Sequence, residues 1–187
     1  MVRHPAIRDR IAAGILDTAA SVLAERGESV SMADIAQAAG VGRATLYRYF
    51  PTREALLLGL TRAAFEELSD RIAAAELDAV PLREGVARAA RAFIAAGRRY
   101  AAVIHVGKTY LEDPAEFDRA VAEPVRALIR RGVADGELRA DVPPDVLFEM
   151  FTALLERALH LVGSERLGVE QAGAVITTTF LDGAGRR

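Results

Sequence analysis

The chain of 187 residues contains no cysteine, which excludes disulfides and thiolate chemistry. No apolar run approaches the roughly 18 residues that a membrane-spanning helix needs. No apolar leader with a cleavage site opens the sequence, so neither membrane insertion nor secretion is expected, and a cytoplasmic location is. The three histidines, at positions 4, 105 and 160, are too scattered to suggest a metal site. Paired catalytic carboxylates, a nucleophile beside its base and a phosphate-binding loop do not stand out either. Glu66-Glu67 and Arg130-Arg131 read as solvated helix faces. These absences argue against an enzyme and against a metal or other cofactor. Alternating strand patterns, repeats and low-complexity linkers are also wanting, which leaves helices.

What is present suits a packed helical protein. Hydrophobic residues make up 51% and charged residues 27%, enough apolar surface for a core. The net charge of −2 conceals an asymmetry. Residues 1–53 hold seven arginines and five acids, a balance of +2, and the remaining 17 basic and 21 acidic residues give −4. A positive N-terminal part is where a polyanion would be met. Arg3, His4, Arg8 and Arg10 could form a basic arm reaching a nucleic-acid backbone or minor groove; a solvated terminus is the alternative.

Residues 31–60 carry the most specific pattern. Ser31 is a good N-cap, and Asp34 three residues on resembles a capping box. Ile35, Ala36 and Ala39 give a short helix one apolar face. Gly40 follows where a left-handed C-cap is cheap only for glycine, and Val41 can fill the corner. Gly42 caps a second short helix without a side chain to donate. Leu46 and Phe50, four apart, should face inward. Pro51 stops that helix and Thr52 caps the next. Two short helices joined by a glycine turn are the layout of a helix-turn-helix DNA reader. Ala44 or the Thr45 methyl could touch a thymine methyl, and Arg48 could bond guanine bidentately. The hydroxyls of Tyr47 and Tyr49 suit phosphate oxygens. Arg53, in the first turn of the next helix, is poorly placed relative to the helix dipole, and a nearby phosphate would explain it. An ordinary solvated helix face at 43–49 is the alternative.

The segment from Ile11 to about Leu60 resembles the N-terminal domain of the TetR (tetracycline-repressor-like) family of transcriptional regulators. ILDTAASVLAERG (15–27) is similar to its first helix, and DIAQAAGVGRATLYRYFPTREALL (34–57) to helices two, three and the start of four. Gly42 departs from the family's usual Ser or Thr. The resemblance implies that Ser31, Arg43, Thr45, Tyr47, Tyr49 and Arg53 occupy DNA-contact positions. It also places Ala44 and Arg48 where residues vary with the operator, which makes them the candidates for sequence discrimination.

Beyond the reader, helical periodicity continues. Ile15, Ala19, Val22 and Leu23 line one face of the first helix. The fourth helix is expected over 53–75, roughly 35 Å long, with leucines 56, 57 and 60 packing the reader and Phe65 and Leu68 starting a second core. A fifth helix follows Pro81, loosened at Gly97, and a short sixth covers Tyr100 to Leu111. Asp113-Pro114-Ala115-Glu116 is a start signal, with a kink or break expected near Glu123 because of Pro124. An eighth helix opens at 142–145 and a ninth covers about Val169 to Leu181. The expected architecture is therefore all-α, with about nine helices. An N-terminal three-helix DNA-binding domain (1–53) is joined through helix four to a ligand-binding and dimerisation domain (54–187). LIRRGVADGELRADVPPD (128–145) resembles the family's ligand-binding half more loosely.

The apolar band of the eighth helix is too wide for one buried face. With the last helix, it suggests a homodimer interface built as a four-helix bundle from Phe151, Leu155, Ala158, Val175, Ile176 and Phe180. A helix buried centrally in its own monomer is the other reading. Inward faces of helices four to eight offer Phe65, Phe93, His105, Tyr110, Met150 and Leu154 as walls for a small-molecule effector, although ordinary core packing accounts for each of them as well. The sequence reading is thus a dimeric regulator, most simply a ligand-responsive repressor on a palindromic double-stranded operator. A helical interaction module without small-molecule sensing is the competing use of the second domain.

Overall fold

A computed structural model describes residues 7–100 and 113–185. The expected sixth helix lies outside them, as do Arg3, His4, His105 and Tyr110. Among the described residues the structure is helical, without strands. The elements are α1 (Ile7–Arg26), α2 (Met32–Ala38), α3 (Arg43–Tyr49), α4 (Arg53–Ala74) and α5 (Leu82–Arg99), then α6 (Pro114–Phe117), α7 (Glu123–Ala134), α8 (Pro144–Gly163) and α9 (Val169–Ala184). Arg8 and Arg10 belong to α1 rather than to an extended arm.

The chain forms two compact units. Of the described residues, the first comprises 7–64 and 99–100, the second 65–98 and 113–185. The division falls inside α4, after Ala64, within the helix that the sequence marked as the link between the two parts. The reason lies along α4: Leu56 and Leu60 are buried in the first core, whereas Leu68 and Ile72 are buried in the second. The end of α5 returns to the first unit. Arg99 pairs with Asp17 of α1 at 2.5 Å, and Tyr100 is buried in the first core.

In the first unit, α1 packs on α2, and α2 on α3. Ile15, Ala19, Val22 and Leu23 of α1 meet Ile35, Ala36, Leu46, Phe50 and Leu56 in one apolar cluster. Each fully buried Leu, Ile or Phe contributes about 1.5–3 kcal/mol by leaving water.

In the second unit α8 packs against both α7 and α9. Phe151 of α8 and Phe180 of α9 hold their rings 5.0 Å apart, tilted at 56°, a favoured aromatic geometry. Asp113 caps α6 by accepting bonds from the N–H groups of Ala115 and Glu116. A π turn, Asp118–Ala122, then joins α6 to α7. Pro124 has no N–H to give and its ring would crowd the carbonyl four residues back. The chain responds by widening, and the Glu123 N–H donates to the Asp118 carbonyl five residues away.

Glycines of α5 and α7 receive each other's leucines. A Cβ at Gly85 would lie 2.7 Å from Leu128, and one at Gly132 would lie 2.9 Å from Leu82. Gly97, expected to loosen the end of α5, is buried within it and packed against Leu159 of α8.

The connection between α4 and α5 is held by two arginines. Arg131 of α7 donates to the carbonyls of Leu77, Asp78 and Val80 at 3.0, 2.7 and 2.6 Å. Arg88 of α5 donates to the Ala75 carbonyl at 3.0 Å and to Glu84 at 2.9 Å. Arg131, which read as part of a solvated pair, is therefore structural. Replacing it with Met keeps the apolar stem but leaves three carbonyls without this donor. Arg131→Met is expected to cost about 1–3 kcal/mol, measured as a lowered urea midpoint; a midpoint equal to wild type would show that the clamp contributes nothing.

Candidate nucleic-acid interface

The N-terminal unit builds its recognition helix on local rules. Ser31 caps α2 with a complete capping box. The Asp34 N–H donates to Ser31 Oγ at 3.2 Å. Ser31 donates to Asp34 Oδ2 from its hydroxyl at 2.6 Å and from its backbone N–H at 2.9 Å. These bonds, the hydroxyl's first, hold the Asp34 carboxyl below the usual carboxylate range. The Ser31 hydroxyl is thus engaged within the box both as donor and as acceptor.

Gly40 lies at φ +65, the left-handed conformation expected of it. Its N–H donates to Gln37, and that of Val41 to Ala36, which closes the turn. Gly42 occupies the N-cap of α3 without a side-chain bond. Leu46 and Phe50 are buried and fix the helix on its inner side.

The opposite side of α3 is open. Arg43, Ala44, Tyr47 and Arg48 are exposed, Tyr47 to 47%, and Thr45 is half-buried. Tyr49, the second tyrosine whose hydroxyl suits a phosphate, is half-buried and packs on the first core. Tyr47 therefore presents the more accessible phenol. The Arg48 guanidinium lies 5.3 Å from the centroid of the Tyr49 ring.

Thr52 caps α4 through the Ala55 N–H at 3.1 Å, as the sequence indicated. Arg53 differs in its reason. Its guanidinium donates to the Val30 carbonyl, in the turn that precedes α2. That partner accounts for a cation at the start of α4 without any phosphate. Sequence spacing gives no signal for a side chain reaching a carbonyl 23 residues away.

The second-unit candidates divide. Phe65, Phe93 and Leu154 are half-buried against the second core, Phe65 with its ring 5.8 Å from that of Phe117. Met150 is 59% exposed, unlike these three. A separate groove of about 440 Å³ is lined by Ile72, Leu77, Pro124, Leu128 and Arg131 among others, none of which the sequence marked as a wall. The interface candidates need a larger correction. Phe151, Leu155, Ala158, Ile176 and Phe180 are buried in the monomer's own core. Only Val175 of that set, at 48%, is exposed. The wide apolar band of α8 has two sides, and its largest side chains face inward. Among the described residues no group of three or more His, Asp and Glu is arranged to hold a metal, and no helix is long and apolar enough to cross a membrane.

Residues 15–60 match the family model described as bacterial regulatory proteins, tetR family. Over 152 residues the chain is 31% identical to the HTH-type transcriptional repressor LfrR of Mycolicibacterium smegmatis, covering 80% of this chain and 77% of that one. The chain belongs to the TetR family. It is also 28% identical over 147 residues to the HTH-type transcriptional repressor KstR2 of Rhodococcus jostii, 72% of this chain and 71% of that one. The solved structure of the TetR-like regulator LfrR from Mycobacterium smegmatis, in complex with proflavine, matches with a TM-score of 0.76 at 27% identity. That match covers 95% of this chain and 99% of that chain. As a TetR-family protein the chain is a DNA-binding transcriptional regulator and not an enzyme.

The capping box gives a pH test. A carboxyl held below its ordinary range in the folded state stabilises above the unfolded-state range, and that contribution is lost as the pH falls through the folded value. Acidification into and below the carboxylate range should therefore destabilise the wild-type first unit more than Asp34→Asn, which is weaker at neutral pH. Thermal melts of both proteins from pH 7 downward check this. Parallel curves would assign the box no pH-dependent role.

Proposed function

We propose that this TetR-family regulator is a ligand-responsive repressor that binds a palindromic operator as a homodimer. The observation that carries the reading is the open face of α3, where Arg43, Ala44, Tyr47 and Arg48 are exposed on a helix anchored by buried Leu46 and Phe50. Arg48 and Ala44 read base edges, and Arg48 fits guanine. Arg43, Thr45, Tyr47 and Tyr49 contact the backbone and set register. Ser31 and Arg53, whose side chains also bond within the fold, complete the set of backbone contacts. One α3 per subunit enters successive major-groove faces roughly 34–36 Å apart. Such a regulator works in the cytoplasm, where its operator is.

Dimerisation uses the outward sides of α8 and α9 and not their buried phenylalanines. Val146 at 43%, Met150 at 59% and Val175 at 48% are large apolar side chains left exposed on those two helices. Exposed apolar side chains on two helices that pack together suit a self-complementary two-fold contact. The second unit is the ligand-binding and dimerisation domain, with half-buried Phe65, Phe93 and Leu154 as the candidate walls. The LfrR complex with proflavine supports a small-molecule ligand, a planar aromatic one among the candidates, for this chain too. An effector that prefers the non-binding state by about 1–3 kcal/mol would lower operator affinity roughly 5–150-fold, and α4, shared by both units, is the natural carrier of that change.

Selection from a randomised duplex pool at near-physiological salt should enrich a palindrome with two half-sites one helical turn apart. Enrichment of a single half-site would reject the dimeric mode, and failure to enrich any sequence would reject the specific reader. The enriched duplex then serves as the assay for effectors that release the protein. For the interface, the double variant Met150→Glu, Val175→Glu is expected to sediment as a monomer with its helical content intact. Persistence of a wild-type dimer would contradict this face.

A further inference from the structure

Arg48 does not extend freely from α3. Its guanidinium sits over the Tyr49 ring, 5.3 Å from the centroid, inside the range where a cation is drawn to a ring face. Tyr49 is half-buried and packed on the first core, so the ring is a fixed platform rather than a second mobile side chain. We propose that Tyr49 is a positioning residue for Arg48, and that the pair together sets a preference for guanine at one position of each half-site. This rests on the reading of Arg48 as a base-contacting residue.

The physical reason is preorganisation. An arginine has considerable rotamer freedom, which a free side chain surrenders on forming two bonds to guanine O6 and N7. A guanidinium already stacked has part of its freedom removed before DNA arrives, so ordering it on the base costs less. The contact holds the guanidinium near the ring face and so narrows the positions that its fork can take. Tyr49 thereby has two separable parts. Its hydroxyl suits a phosphate oxygen, which is indifferent to sequence. Its ring acts on discrimination through Arg48.

The two parts can be tested apart. Affinities are measured for the palindromic duplex enriched from the pool and for duplexes with each base of the half-site replaced, using wild type, Arg48→Ala, Tyr49→Phe and Tyr49→Leu. Arg48→Ala should abolish the guanine preference at one position. Tyr49→Phe keeps the ring and should retain the preference, with all duplexes weakened by a similar factor. Tyr49→Leu keeps an apolar side chain on the core but removes the ring face. It should lose about two- to five-fold of guanine discrimination while its melting curve shows a folded protein. Unchanged discrimination in folded Tyr49→Leu would overturn the positioning role. Unchanged preference in Arg48→Ala would instead overturn the base-contact reading beneath it. Side-chain relaxation of the Arg48 Nε–H in free wild type supplies a test that does not depend on any variant folding. Restricted motion is expected, and motion as free as that of an unstacked surface arginine would overturn the proposal.

Discussion

A helix of seven residues is too short to hold its own shape in water, and α3 is seven residues long. Its shape depends on two side chains, Leu46 and Phe50, that pin it to the first core. The rest of the unit can be understood as what makes that attachment definite. Gly40 turns the chain in a conformation closed to most residues. The capping box starts α2 at a fixed residue. Arg53 ties the start of α4 back to the Val30 carbonyl, so the elements on either side of α2 and α3 are joined to each other.

The two units share more chain than a simple linker provides. α4 contributes Leu56 and Leu60 to one core and Leu68 and Ile72 to the other. α5 belongs to the second core for most of its length, yet Arg99 and Tyr100 at its end are part of the first. At the other end of α4, two arginines close the turn into α5. The helix is therefore defined at both of its ends by side chains that reach backbone carbonyls.

Much of this was legible in the sequence because it follows from short-range rules. The capping box at Ser31 and Asp34, the left-handed Gly40, the inward Leu46 and Phe50, the Thr52 cap and the Asp113-Pro114 start all depend on neighbours within a few residues. The disturbance at Pro124 was legible as a break, although its form as a π turn was not. What stayed hidden depends on partners far along the chain. Arg131 looked solvated because its three carbonyls lie more than fifty residues away. The interface residues were misplaced for a different reason. Periodicity reveals that α8 is apolar around much of its circumference, but not which part faces its own core. Phe151 and Met150 are adjacent in sequence and have opposite fates, one buried and the other exposed.

The crossed leucines and glycines of α5 and α7 constrain how this protein can diverge. Leu128 occupies the space that a methyl group at Gly85 would need, and Leu82 does the same at Gly132. Enlarging either glycine alone produces a clash, and shrinking either leucine alone opens a void. A lineage can leave this arrangement only by passing through a less stable intermediate, or by changing both members of a pair together. Positions 85 and 128, and positions 82 and 132, should then behave in evolution as two compound sites rather than four independent ones.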